Sequence, residues 1–221
     1  MSLLFALGLL LGASTSPEPL DSVVLKMEQT TDRQQTELCG YSVDRRYTLQ
    51  NKHLSPDAVM TVRLVYKRGV GKHFEAPSIS ETPGLVHRAL LNLLREEEES
   101  SREHEKSTEF NSANYDFALL DLERLGEQAC YRVRLKPRRR SKYLIEGEAW
   151  IDAREYAVVQ VQGQLAQKPS FWVHPPEVEQ KFAEFQSFWL PSYNRSLASV
   201  AFVGEAVLTI EYSNYQVKSC R

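Results

Sequence analysis

The second half of the chain alternates apolar and polar residues with a period of two. From Tyr115 onward the runs Tyr115 to Leu122, Tyr131 to Lys136, Tyr143 to Ile151, Tyr156 to Gln162, Glu179 to Leu190, Ser196 to Phe202 and Glu205 to Val217 follow one another. Successive side chains of a strand point to opposite faces, so each run predicts a strand with one buried and one solvated face. The connections are short and polar or hold Pro or Gly, as an antiparallel meander requires. In the first half, Cys39 to Gln50 and Asp57 to Tyr66 predict two more strands, while Gly69 to Pro77 reads as irregular.

Two stretches change to helical spacing. Leu20, Val23, Val24 and Met27 predict a short amphipathic helix. Leu85, Val86, Ala89, Leu90, Leu93 and Leu94 predict a stronger one, with Thr82 as its cap and Pro83 in its first turn. The run REEEESSREHEKSTE from Arg95 has no apolar face and reads as a solvated helix end or loop in preference to an acidic interaction tail.

Parity sets the hairpin between Tyr131 and Ile151. Tyr131, Val133, Leu135, Tyr143, Ile145, Gly147, Ala149 and Ile151 are odd and mostly apolar, whereas Arg132, Arg134, Lys136, Glu146 and Glu148 are even and charged. A turn centred near Arg140 places Arg132 opposite Glu148 and Arg134 opposite Glu146, and gathers the odd residues on one face. Trp150 then falls on the charged face, as an outer or rim residue. Gly147 and Ala149 leave the inner face short of volume, to be filled by the Leu-rich helix or by an apolar ligand, because interiors are close-packed. The candidate cavity wall is Tyr131, Val133, Tyr143, Ile145, Gly147 and Ala149, with Trp189 in addition.

At 221 residues and 25.3 kDa the chain fits one domain, expected over residues 17–221. With 27 Lys+Arg against 29 Asp+Glu, nothing in its charge favours a nucleic-acid partner. Residues 1–16 hold an apolar run, Leu3 to Leu11, and then small residues, the pattern of a cleaved export signal and too short for a membrane span; a short buried helix is the alternative. Cys39, Cys130 and Cys220 allow three disulfide pairings or three separate thiols, and sequence does not choose among them.

Catalytic chemistry finds no convergent set. The histidines His53, His73, His87, His104 and His174 are scattered without metal-ligand spacing, and no nucleophile elbow, phosphate loop or dinucleotide fingerprint occurs. No cofactor and no metal are expected. Glu146 and Glu148 read as ion-pair partners of arginines and not as an acid/base pair. The basic run KPRRRSK reads as a solubilising hairpin tip; its alternative is peripheral contact with anionic lipid head groups through Arg138, Arg139 and Arg140.

The segments YLIEGEAWID at Tyr143, YAVVQVQG at Tyr156, PSFWV at Pro169, FQSFWLPSY at Phe185 and AVLTIEYSNYQV at Ala206 resemble the bacterial outer-membrane lipoprotein-sorting (LolA-like) superfamily, over Cys39 to Val217, through strand order and aromatic positions. The resemblance implies an α+β fold: a strongly curved antiparallel sheet forming an incomplete β-barrel, its concave face covered by the helices at Leu20 and Pro83. It also implies a soluble periplasmic protein without catalytic activity that shelters an apolar ligand such as a lipid or a lipoprotein acyl chain. The alternative is a cell-envelope sensor or protein-interaction module of the same fold, with a self-filled cavity and a protein partner. The acidic segment after Arg95 departs from the lipoprotein carrier's pattern, and no residue here matches the carrier's cargo-controlling arginine.

Overall fold

Every strand of the computed structural model, which describes residues 18–103, 108–167, 175–200 and 204–220, belongs to one antiparallel sheet. In chain order the elements are α1 (Leu20–Glu37), β1 (Leu38–Asn51), β2 (Ala58–Lys67), β3 (Gly71–Ile79), α2 (Gly84–Glu103), β4 (Tyr115–Leu125), β5 (Gln128–Pro137), β6 (Ile145–Asp152), β7 (Val158–Leu165), β8 (Glu177–Phe185), β9 (Phe188–Val200) and β10 (Gly204–Ser219). The strands lie in the order β3-β2-β1-β10-β9-β8-β7-β6-β5-β4. The edge strands β3 and β4 do not pair, so the curved sheet stays an open barrel, as the α+β expectation has it.

One row of paired residues shows how the sheet is covered. Met60, Tyr47, Ile210, Asn194, Gln180, Val161, Ala149 and Val133 are successive cross-strand neighbours from β2 to β5, and all face the concave side. Val133, Ala149 and Val161 at one end are buried with Val23, Val24 and Met27 of α1. Tyr47 and Met60 at the other end are buried with Leu90 and Leu94 of α2. Neither apolar core includes the middle of the row, Asn194 and Gln180. Each helix therefore hides its own apolar stripe against one end of the sheet, which is where most helical stability comes from.

The structure corrects several details of the sequence reading. Gly71 to Ile79 is not irregular but forms β3, an edge strand paired to β2. The single strand expected over Glu179 to Leu190 is broken by a tight turn at Gln186 and Ser187, both with positive φ (52° and 71°). Arg134 stands opposite Glu148, and Arg132 opposite Trp150, so the β5–β6 register is two residues from the expected one; the turn is centred on Ser141. A two-residue slip preserves parity, and the faces are unchanged.

Trp150 does lie on the face of the charged residues, yet it is buried there with Cys130 and Val159, its indole donating to Glu123 at 2.7 Å. In α2, Val86, Leu90 and Leu94 pack on the sheet while Leu85, Ala89 and Leu93 are exposed, a narrower stripe than the leucine pattern suggested. Thr82 does not cap this helix by its side chain, whose hydroxyl is buried without a partner.

Cys39 and Cys220 form a disulfide that ties the start of β1 to the end of β10, and Cys130 is a buried thiol. The expected export signal, the Pro169 segment, His104 and His174 lie outside the described residues. Among the described residues, no helix is long and apolar enough to cross a membrane.

Candidate functional site

Between the two covered ends of the sheet runs a groove of about 720 Å³. Its floor is β8, β9 and β10, through Val178, Gln180, Phe182, Asn194, Ser196 and Ile210. One wall is the C-terminal half of α1, where Thr30, Gln34 and Gln35 face it. Among the bonds that hold that wall, the Thr30 hydroxyl donates to the Glu155 carbonyl at 2.9 Å, the Trp189 backbone N–H donates to Gln34 Oε1 at 2.9 Å, and the Gln35 amide donates to Glu109 at 3.1 Å.

The ends of the groove differ. At one end stand Lys142, Tyr143, Ile145 and Leu165. At the other, Lys72, Tyr66 and Tyr41 form a cross-strand row on β3, β2 and β1, with Leu38 beside them. A concave, largely apolar groove with a few polar groups has the form of a small-molecule site.

Of the residues expected to wall a cavity, Tyr143, Ile145 and Trp189 line this groove. Tyr131, Val133 and Ala149 lie in the core beneath α1. Gly147 faces Gly163 across β6 and β7, where the neighbouring backbone takes up the space that its missing side chain leaves. Trp189 also packs against the Cys130–Trp150–Val159 cluster, and its indole donates to Glu155 at 2.9 Å.

Behind the Lys72 end lies a charge network that the sequence reading did not assemble. Arg45, 3% exposed, donates through Nη1 to both Glu97 oxygens at 3.0 and 2.9 Å and to the Tyr47 hydroxyl at 3.1 Å. Its guanidinium also sits over the Tyr212 ring, 4.8 Å from the centroid. Lys72 Nζ reaches the same carboxylate at 2.7 Å. Burial opposes ionisation of Glu97, but the two cations outweigh it and hold the carboxyl at about 2. The ammonium of Lys72 is likewise held above its ordinary value, Glu97 outweighing burial.

The signal for this network was present in the sequence. Arg45 occupies the apolar parity of β1, between Val43 and Tyr47, where a charge must find a partner. Glu97 belongs to the charged run, which is helical and docked through to Ser101: the sheet-facing stripe Val86, Leu90, Leu94 continues at Glu97 and turns polar.

The basic tip is less free than its composition suggests. Arg138 pairs with Asp116 at 2.8 Å, Arg139 donates to Asn114 at 2.6 Å, and Arg140 is exposed.

No protein-family model and no curated protein matches the chain. Among solved structures it is similar to a DUF1329 family protein from Desulfovibrio piger (10% identity, 91% of this chain and 94% of that one covered, TM-score 0.49). It is also similar to a LolA superfamily protein from Nitrosomonas europaea (10%, 91% and 94%, TM-score 0.46). A third is a domain assigned to outer membrane lipoprotein sorting from Vibrio parahaemolyticus (12%, 90% and 94%, TM-score 0.49).

Proposed function

We propose that this chain is an exported binding protein without catalytic activity, which shelters an apolar ligand, a lipid or a lipoprotein acyl chain, in the groove between α1 and α2. The observation that carries the reading is the uncovered middle of the concave face. Each helix is occupied with its own end of the sheet, and about 720 Å³ between them is left for something else. An apolar chain laid on Val178, Phe182 and Ile210 gains the burial that these side chains lack. Export is supported by the leader pattern of residues 1–16 and by the Cys39–Cys220 disulfide, since such bonds persist in oxidising compartments.

Native mass spectrometry of the protein purified from the cell envelope, followed by lipid extraction, tests this. An apolar molecule in one-to-one amount is the expected result. A protein that carries none and takes up none from lipid vesicles overturns the reading.

A further inference from the structure

The charges at the Lys72 end of the groove do not balance. Arg45 and Lys72 share a single carboxylate, Glu97, and among the described residues neither cation has a second acidic partner. One unit of positive charge is left over in a place walled by Tyr41, Tyr66 and the end of α2. The Nε of Arg45 is buried without a hydrogen-bond partner. An uncompensated charge taken out of water is costly unless something pairs with it.

The geometry tells which cation is available. Arg45 is 3% exposed and sits behind the network, whereas the Lys72 side chain is 28% exposed and faces the groove. Glu97 engages one direction of a three-donor ammonium. The nearby serines are occupied: Ser100 donates to the Glu97 carbonyl at 3.2 Å and Ser101 to that of Glu98 at 2.8 Å. Lys72 is thus the donor offered to an incoming group, and it opens onto an apolar floor.

Resting on the groove reading above, we propose that the Lys72 end holds the anionic head group of an amphiphile whose chain lies along β8 to β10. The head is a carboxylate or a phosphate monoester, small enough for one surplus cation. A polyanion does not fit, because among the described residues the site offers a single surplus unit of charge. The other cation among the described residues of the groove, Lys142, lies at the opposite end with its ammonium over the Tyr143 ring, 5.0 Å from the centroid, and serves as the internal control.

The test is displacement of the uncharged fluorescent probe N-phenyl-1-naphthylamine from the full chain. Palmitate, hexadecyl phosphate and hexadecanol share a chain length and differ in head group. At least one of the two anions is expected to displace the probe at about a tenfold lower concentration than hexadecanol, the scale of a charge-assisted hydrogen bond in a half-buried site. Whichever anion is stronger identifies the head. Inorganic phosphate alone is expected to displace nothing, since the chain supplies the burial.

Lys72→Gln should abolish the preference for the anion while hexadecanol competes as in the unaltered protein, which also shows that the variant is folded. Lys72→Arg should keep the preference, and Lys142→Gln should leave it untouched. Equal competition by all three amphiphiles in the unaltered protein overturns the inference and leaves the groove reading standing, whatever the variants do. So does a preference that survives Lys72→Gln or disappears with Lys142→Gln. A protein that binds neither the probe nor any amphiphile overturns both.

Discussion

Gly147 and Gly163 face each other on the concave side of β6 and β7 so closely that neither strand has room for a side chain there. A Cβ on Gly147 would lie 2.0 Å from the Gln162 carbonyl oxygen, and one on Gly163 would lie 2.3 Å from that of Glu146. Gly147→Ala or Gly163→Ala must push the strands apart, at about 1–3 kcal/mol as for other overpacked sites. Urea titration is expected to show the loss in either variant. Unchanged stability with weakened ligand uptake would instead mean that Gly147 keeps space open for cargo.

Removing the Glu97 carboxylate leaves Arg45 buried without its counter-ion. Glu97→Gln is expected to cost about 2–4 kcal/mol, toward the lower part of the range for broken buried pairs because Glu97 is itself partly exposed. Its pH dependence has a defined sign. The folded carboxyl is held at about 2 against an ordinary value of 4.5, so the unfolded chain binds more protons between these values. The stabilisation is complete above about pH 4.5 and is lost as the pH falls toward 2. Acid unfolding followed by circular dichroism should be flatter over that window in Glu97→Gln than in the unaltered protein.

Reduction should loosen the molecule, since Cys39 and Cys220 are separated by 181 residues. A bond closing so long a loop typically contributes about 2–4 kcal/mol. Cys39→Ser, or the native chain in reductant, is expected to melt at a lower temperature by a corresponding amount. Cys130 behaves differently: burial first, and Asp152 second, push its thiol up to about 11. A thiol reagent should find no reactive group in the folded oxidised protein and one after denaturation.

Ser196 stands on the groove floor between Val178 and Leu208. Ser196→Phe places a ring where the ligand is proposed to lie. Binding of a fluorescent lipid probe should fall by roughly tenfold or more, equivalent to about 1.4 kcal/mol, while the melting temperature stays within a few degrees. A variant that binds as well as the unaltered protein would move the ligand off this part of the floor.

Much of the architecture was legible because parity is a local property. Val133, Ile145, Ala149 and Val161 announce the concave face by alternation alone, and the structure buries all four. The failures have physical causes. The strand β3 carries Lys72, Glu75 and Pro77 and is half solvated at the sheet edge, so it shows little alternation. The β8–β9 turn has no Gly, Pro or Asn, and two ordinary residues adopt positive φ between the apolar Phe185 and Phe188. Glu97 looked like part of a solvated run because its partners, Arg45 and Lys72, lie 52 and 25 residues away. The groove is legible least of all. It exists because two helices stop short of each other on the sheet, and no local pattern encodes that distance.

The pairing of β1 with β10, from Leu38 with Ser219 to Asn51 with Ala206, has a consequence for the order of assembly. The strands β1 to β3 with α2 make one unit and β4 to β9 another, and each can begin to cover its own core while the chain is still being made. Within the sheet the two units meet through β10, while α1, which leads into β1, lies over the core of the second unit, so the groove floor is finished last. Such long-range pairing is slow to form. A chain that stopped at β9 would hold two capped half-sheets and no place to carry anything.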